Sequence, residues 1–211
     1  MRTIAIVYFS GSGHTALMAE AVQRGAAATG GVAALLLPID GRKIVEGRFA
    51  DDALLARLND ADAIVFGSPT YMGGVAAQFK AFADATAGAW FARSWSGKPA
   101  AGFTHSGSPS GDKLSTLQYL SLFAAQHGMV WIGNADLPSV YRGQTDGFNR
   151  LNSFLGVMGY TSQSPDAPPS VDSGDLLTAE ALGRRVADLV RRLPDKNPMK
   201  AVSEREPSPA V

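Results

Sequence analysis

With 211 residues, 45% of them hydrophobic, the chain carries enough apolar material for one sizeable core, so a single domain is expected. Nineteen basic residues balance nineteen acidic ones without forming a basic stripe, which speaks against nucleic acid and anionic membranes as partners. The chain has no Cys, which excludes disulfides, thiolate catalysis and Cys-ligated metal centres. No apolar run is long enough to span a bilayer, and Arg2 leads straight into a core-like run without a cleavage region, so a cytoplasmic protein is expected.

Ile4 to Phe9, β-branched and aromatic, predict a buried parallel strand. Ser10, Gly11, Ser12, Gly13, His14 and Thr15 form a tight, hydroxyl-rich loop, and Thr15 opens a segment in which Leu17, Met18, Ala21, Val22 and Gly25 recur at helical spacing. A strand, a Gly-rich loop and a helix N-terminus in succession make an anion site, because the first turn offers unpaired N–H groups and a positive dipole end.

Gly30-Gly31 ends that helix, Val32 to Ile39 supplies a second strand, and Asp51 to Asn59 reads as a short helix after a loop. Ala63 to Gly67 is a third strand that runs into Ser68-Pro69-Thr70-Tyr71-Met72-Gly73-Gly74. Val75, Phe79 and Phe82 then share one helix face. Ala100 to Thr104 is a fourth strand, followed by the loop His105-Ser106-Gly107-Ser108-Pro109-Ser110-Gly111-Asp112, and a helix continues through Leu114, Leu117, Ser121 and Ala124. Met129 to Gly133 gives a fifth strand. Residues 134–174 show no readable period, and Leu182, Val186, Leu189 and Leu193 mark a last helix. From residue 194 to 211 the chain is rich in Pro, Glu and Ser and reads as a mobile tail behind a domain at 1–193.

Alternating strands and helices imply a parallel sheet covered on both faces, whose ligands bind beyond the carboxyl ends of the strands. Three Gly/Ser/Thr-rich loops fall at that edge. Gly11-x-Gly13-x-x-Ala16 formally satisfies the dinucleotide fingerprint, which keeps a Rossmann oxidoreductase open. Against it, the first acidic residue after the second strand, Asp40, lies 27 positions beyond Gly13 where about 20 are expected for the ribose partner. The hydroxyls of Ser10, Ser12 and Thr15 suit a terminal phosphate, while a polar turn that merely caps a helix is the plainer alternative. Trp90, in an irregular stretch, ordinarily belongs to a core or an interface, and His127 before Gly128 ordinarily caps a helix.

With these residues laid out, the chain resembles the flavodoxin-like family of WrbA-type NAD(P)H:quinone oxidoreductases. The carrying motifs are Ser10-x-x-Gly13-His14-Thr15, Ser68-Pro69-Thr70-Tyr71-Met72-Gly73, Trp90 with Gly97-Lys98-Pro99, Ser106-Gly107-Ser108, and His127-Gly128-Met129-Val130. The resemblance implies an α/β flavodoxin-like fold with a five-stranded parallel sheet in the order 2-1-3-4-5, FMN as cofactor, and no metal. By position, Ser10 to Thr15 would hold the phosphate. Pro69, Thr70, Tyr71, Met72 and Gly73 would flank the isoalloxazine, and Thr104, His105, Ser106, Gly107, Ser108, Pro109 and Ser110 would wrap its pyrimidine side.

Trp90 and His127 would line the substrate pocket above the ring, across a subunit interface of a homodimer or homotetramer. NAD(P)H and a quinone would then react in turn, with His127 placed to bond the quinone or supply a proton because its ordinary pKa lies near neutrality. A flavodoxin-type electron shuttle is the competing class; shuttles usually present an acidic face, which zero net charge does not favour. Two departures from the family pattern stand out. Ser12 replaces a frequent aromatic, and Pro109 with Asp112-Lys113 replaces a Gly-rich run ending in Gln-Glu.

Overall fold

A computed structural model describes residues 1–162 and 168–194; the expected tail from residue 195 onward lies outside them. The chain runs β1 (Arg2–Tyr8), α1 (His14–Ala27), β2 (Val32–Pro38), β3 (Ile44–Val45), β4 (Arg48–Phe49), α2 (Asp52–Asp60), β5 (Ala63–Tyr71), β6 (Gly74–Val75), α3 (Ala77–Ala85), α4 (Ala87–Phe91), β7 (Pro99–Ser106), α5 (Lys113–Gln126), β8 (Val130–Trp131), β9 (Val157–Tyr160) and α6 (Ser173–Arg192). The parallel sheet has the order β2-β1-β5-β7-β8, the flavodoxin-like order 2-1-3-4-5.

Alternation along the strands divides the core in two. Ile4, Ile6, Val65 and Phe103 face α1 and α6, where they meet Met18, Val22, Leu182 and Val186. Ala5, Val7, Ile64 and Phe66 face the other side, packed with Leu58, Phe79, Phe82, Trp95, Leu117 and Phe123. Helices α1 and α6 pack backbone against backbone at Gly25 and Gly183, where any Cβ would strike the carbonyls of Glu180 and Val22.

The fifth strand differs from its expectation. Only Val130 and Trp131 pair with β7, at Pro99 and Ala100. The chain then leaves the sheet, and β9 returns to pair with Phe103 to Ser106 further along the same strand. Two short segments separated by an excursion thus fill one sheet position, and the excursion contains much of the stretch that showed no period. The third strand also runs past Gly67 to Tyr71, because Ser68 and Pro69 continue to pair with β7 and Thr70 pairs with Val75. Val75 therefore belongs to a two-residue strand, while Phe79 and Phe82 form the buried face of α3.

Candidate cofactor site

At the carboxyl edge of β1 the loop turns into α1 through Gly13, whose φ of 93° is left-handed and costs a side-chain-bearing residue energy. Pro169 lies against the same carbon, 2.7 Å from where a Cβ would stand. Helix α1 has no side-chain N-cap and no acidic residue in its first turn. Ser10 Oγ accepts the Ala16 N–H at 3.1 Å, which leaves its own proton free to donate. The N–H groups of Gly13, His14 and Thr15 find no acceptor among the described residues. A dipole end with spare donors and no internal counter-charge suits an anion.

The three loops meet there. Ser12, His14, Thr15, Pro69, Thr70, Tyr71, His105, Ser106 and Gly107 line one cleft of about 200 Å3. That is room for an anion the size of a phosphate group. A groove of about 490 Å3 lined by Asp136, Arg142, Arg184 and Arg185 is larger, but it lies along the outer side of α6, away from the three loops. Chemistry selects the smaller cleft.

Tyr71 folds its hydroxyl over Gly11, whereas Met72 projects fully into solvent at a φ of 48°, so an apolar rim stands open beside the cleft. Thr70 Oγ1 lies 2.8 Å from both Thr104 Oγ1 and Thr116 Oγ1. Thr104 is fully buried, and its hydroxyl braces the sheet edge from behind the cleft. Ser115 Oγ sits between the carbonyls of Gly73 and Asp112 and ties the second loop to the third.

The His105 ring stacks on His14, with Nε2 3.2 Å from Thr161 Oγ1. The Thr161 proton goes to Ser170 O at 2.8 Å, so the proton between His105 and Thr161 sits on His105 Nε2. Burial, followed by the positive fields of His14, Lys113 and Arg150, pushes the His105 pKa down to about 3, so the ring is neutral at physiological pH. Ser108, Pro109 and Ser110 lie outside the cleft; Pro109 and Ser110 border a neighbouring depression with Asp112 and Met158.

Trp90 and His127 are not brought to the cleft within one chain. Helix α5 carries the chain back across the sheet, so His127 stands roughly 20 Å of helix beyond Lys113. His127 is 2% exposed, stacked on Trp95 at 4.2 Å and edge-on to Phe123. Its Nε2 bonds Thr86 Oγ1 at 2.9 Å, and the Thr86 proton is given to Ala83 O, so the proton of this pair belongs to His127. Nδ1 then carries a buried lone pair with no partner among the described residues. Burial and Arg93 push the His127 pKa down to about 4, away from the near-neutral value that suggested a proton donor. Trp90 is 44% exposed on α4 and faces outward.

A cluster of buried charges lies behind the third loop. Arg150 holds Asp175 through two bonds of 2.8 and 2.7 Å, and the Tyr160 N–H donates to the same carboxylate at 2.9 Å. Burial outweighs these bonds and keeps the Asp175 carboxyl above the usual range. Lys113 is fully buried beneath the third loop. The one sequence signal for any of these was the departure from the family pattern at Asp112-Lys113.

The fold order and a hydroxyl-lined, anion-ready cleft define a flavodoxin-like mononucleotide-binding protein. They displace the Rossmann alternative, whose candidate ribose partner Asp40 instead grips Arg42. Residues 4–139 match the model of the NADPH-dependent FMN reductase family. Flavodoxin FldP of Pseudomonas aeruginosa is 38% identical over 195 residues, covering 92% of this chain and 99% of that protein. An NAD(P)H dehydrogenase (quinone) of Solidesulfovibrio magneticus is 34% identical over 206 residues, covering 90% and 98%. The crystal structure of the flavodoxin, WrbA-like protein from Agrobacterium tumefaciens aligns with a TM-score of 0.67 at 41% identity, covering 91% of this chain and 99% of that one.

The chain belongs to the WrbA-type family of flavodoxin-like, FMN-dependent NAD(P)H:quinone oxidoreductases, and FMN is its cofactor. The unpartnered donors at Gly13 to Thr15 and the free proton of Ser10 fit the phosphate of that group. No described helix is long and apolar enough to cross a membrane.

Proposed function

We propose that this protein takes two electrons from NAD(P)H and passes them to a quinone in a ping-pong cycle. The observation that carries the reading is the meeting of three loops in one anion-ready cleft beside an open apolar rim. FMN supplies the redox chemistry, since it takes up a hydride and yields two electrons and the side chains here cannot.

In this reading Ser10, Ser12, Thr15 and the first-turn N–H groups bind the phosphate. Tyr71 and Met72 flank the ring on the rim, and Ser106 and Gly107 approach its pyrimidine side. Donor and acceptor use the same open face one after the other. Trp90 and Phe91, exposed on α4, with Leu122 on α5, are apolar surface for a second copy of the chain, in a homodimer or homotetramer.

A spectral titration tests the cycle. FMN-loaded protein should bleach with one equivalent of NADH or NADPH and recover its colour with benzoquinone, and steady-state plots against both substrates should be parallel. Intersecting plots would remove the ping-pong order. Light scattering tests the assembly, and a monomer at micromolar concentration would overturn it.

A second reading has its own support. The flavodoxin from Pseudomonas aeruginosa matches over nearly its full length, which favours a shuttle to protein partners. A shuttle would not be bleached by NAD(P)H alone and would need a reductase, so the same titration separates the two.

A further inference from the structure

Lys113 is the anomaly of the site. Its ammonium is fully buried, and its three donors are all used: Ser106 Oγ at 3.0 Å, Ser108 O at 2.8 Å and Pro109 O at 2.9 Å. Every one of these acceptors is uncharged and belongs to the third loop. The carboxylate that acts on it electrostatically, Asp175, is already committed to Arg150 and to the Tyr160 N–H. The Tyr160 ring lies 5.9 Å away and offers only its π face. The loop is therefore built around a cation that none of its own hydrogen-bonding partners neutralises.

Burying an ammonium costs several kcal/mol, and bracing a loop of carbonyls does not by itself require a formal charge. The charge sits directly behind the cleft wall, because the Ser106 that accepts from Lys113 also lines the cleft beside Gly107. A charge in that position acts on whatever occupies the cleft and its rim through a poorly screening interior.

We propose that Lys113 sets the reduction potential of the bound FMN by stabilising the negative charge that reduction places on the pyrimidine side of the ring. The proposal rests on the reading above in which the third loop approaches that side. Hydride transfer moves two electrons and one proton from the nicotinamide to the flavin, leaving oxidised NAD(P)+ and a reduced ring that bears one negative charge. Lys113 keeps its proton throughout and is a positioning residue for charge; it transfers nothing. Its consequence is tighter binding of reduced than of oxidised FMN, and hence a higher midpoint potential.

The test compares wild type with Lys113→Met, which removes the charge at similar length, and Lys113→Arg, which keeps it. FMN affinity is read by fluorescence quenching, and the midpoint potential by equilibrium dye titration of the absorbance. Lys113→Met should bind oxidised FMN within about threefold of wild type but lose at least tenfold more affinity for the reduced form than for the oxidised one, a fall of about 30 mV or more for a two-electron couple. Lys113→Arg should retain most of the wild-type potential. An unchanged potential in flavin-loaded Lys113→Met overturns the proposal. So does an equal loss for both redox forms, which would make Lys113 only a brace for the loop.

Should Lys113→Met fail to fold, wild type decides. Burial brings the Lys113 pKa down to about 8, with Asp175, Arg150, Tyr160 and His105 as the titratable and charged groups around it. The potential plotted against pH from 7 to 10 should then change slope near that value, and a straight line overturns the proposal. Wild type that takes up no FMN would instead sink the reading of the site itself.

Discussion

His14 and His105 stack nearly parallel at the cleft, their ring centroids 4.8 Å apart and their planes within 11°. One ring comes from the first turn of α1 and the other from the end of β7, so the contact joins the first loop to the third. Through Thr161 it reaches Ser170 as well, on the segment that lays Pro169 against Gly13. Burial lowers the pKa of His14, and His105 is pushed further down, in part by His14 itself. Two stacked imidazolium ions would repel at this distance.

Acid stability follows from this. His105 and His127 have folded pKa values of about 3 and about 4, both below the ordinary 6.5. Above pH 6.5 both rings are neutral in either state and cost nothing. As pH falls below that value the unfolded chain takes up protons that the fold refuses. Stability should decline by roughly 1.4 kcal/mol per pH unit for each ring, down to the folded values. Urea melts between pH 7 and 4 measure the slope, and His127→Leu should halve it.

The same His127→Leu exchange tests what the ring does. Within one chain the His127 imidazole packs inside an aromatic cluster, with its Nδ1 unpartnered among the described residues, and an unsatisfied buried polar atom costs stability. The variant should hold FMN as tightly as wild type and reduce benzoquinone within about twofold. A selective fall in quinone reduction would instead support the catalytic part that the family resemblance implies.

Gly13→Ala should damage the site at its turn. The left-handed φ costs about 1–2 kcal/mol with a Cβ present, and that Cβ would also displace Pro169. FMN affinity should drop more than thermal stability, because the displaced Pro169 lies directly against the turn of the first loop. Parallel melting curves and flavin titrations separate the two losses.

Thr15→Val removes one hydroxyl from the cleft with almost no change in shape. A hydrogen bond to a charged phosphate contributes about 1.5–3 kcal/mol, so FMN affinity should fall by roughly tenfold to a hundredfold. The midpoint of unfolding without flavin should stay within about 2 °C.

Asp175→Ala should cost about 3 kcal/mol of stability, because it leaves Arg150 without the buried partner that accepts two of its bonds. The loss should loosen β9, since Tyr160 also donates to that carboxylate. Hydrogen exchange at Gly159 and Tyr160 is the local readout, and the Arg150→Ala/Asp175→Ala pair should show strong non-additivity.

Much of this molecule was legible beforehand because its signals are local. Ile4 to Val7 are all fully buried, and a strand covered on both faces shows itself as an unbroken apolar run. The turn at Gly13 announces itself through small and hydroxylated residues. The split fifth strand gave no such signal: β8 has two residues and β9 four, too few for a period, and their pairing with β7 spans an excursion of the chain. Lys113 was hidden for another reason. A lysine at the start of a helix ordinarily reaches solvent, and only the folding of residues 106–109 over it makes it a buried cation.

The sequence by itself determined the alternating α/β architecture and the sheet edge at which its three Gly/Ser/Thr-rich loops meet. These depend on hydrophobic period and on backbone preferences a few residues long. Tertiary structure alone decided which residues of the three loops share the cleft, that His105 stacks on His14, and that His127 lies at the far end of α5 in an aromatic core. Those outcomes depend on strand register and helix length, which bring together or separate residues by distances that no local pattern records.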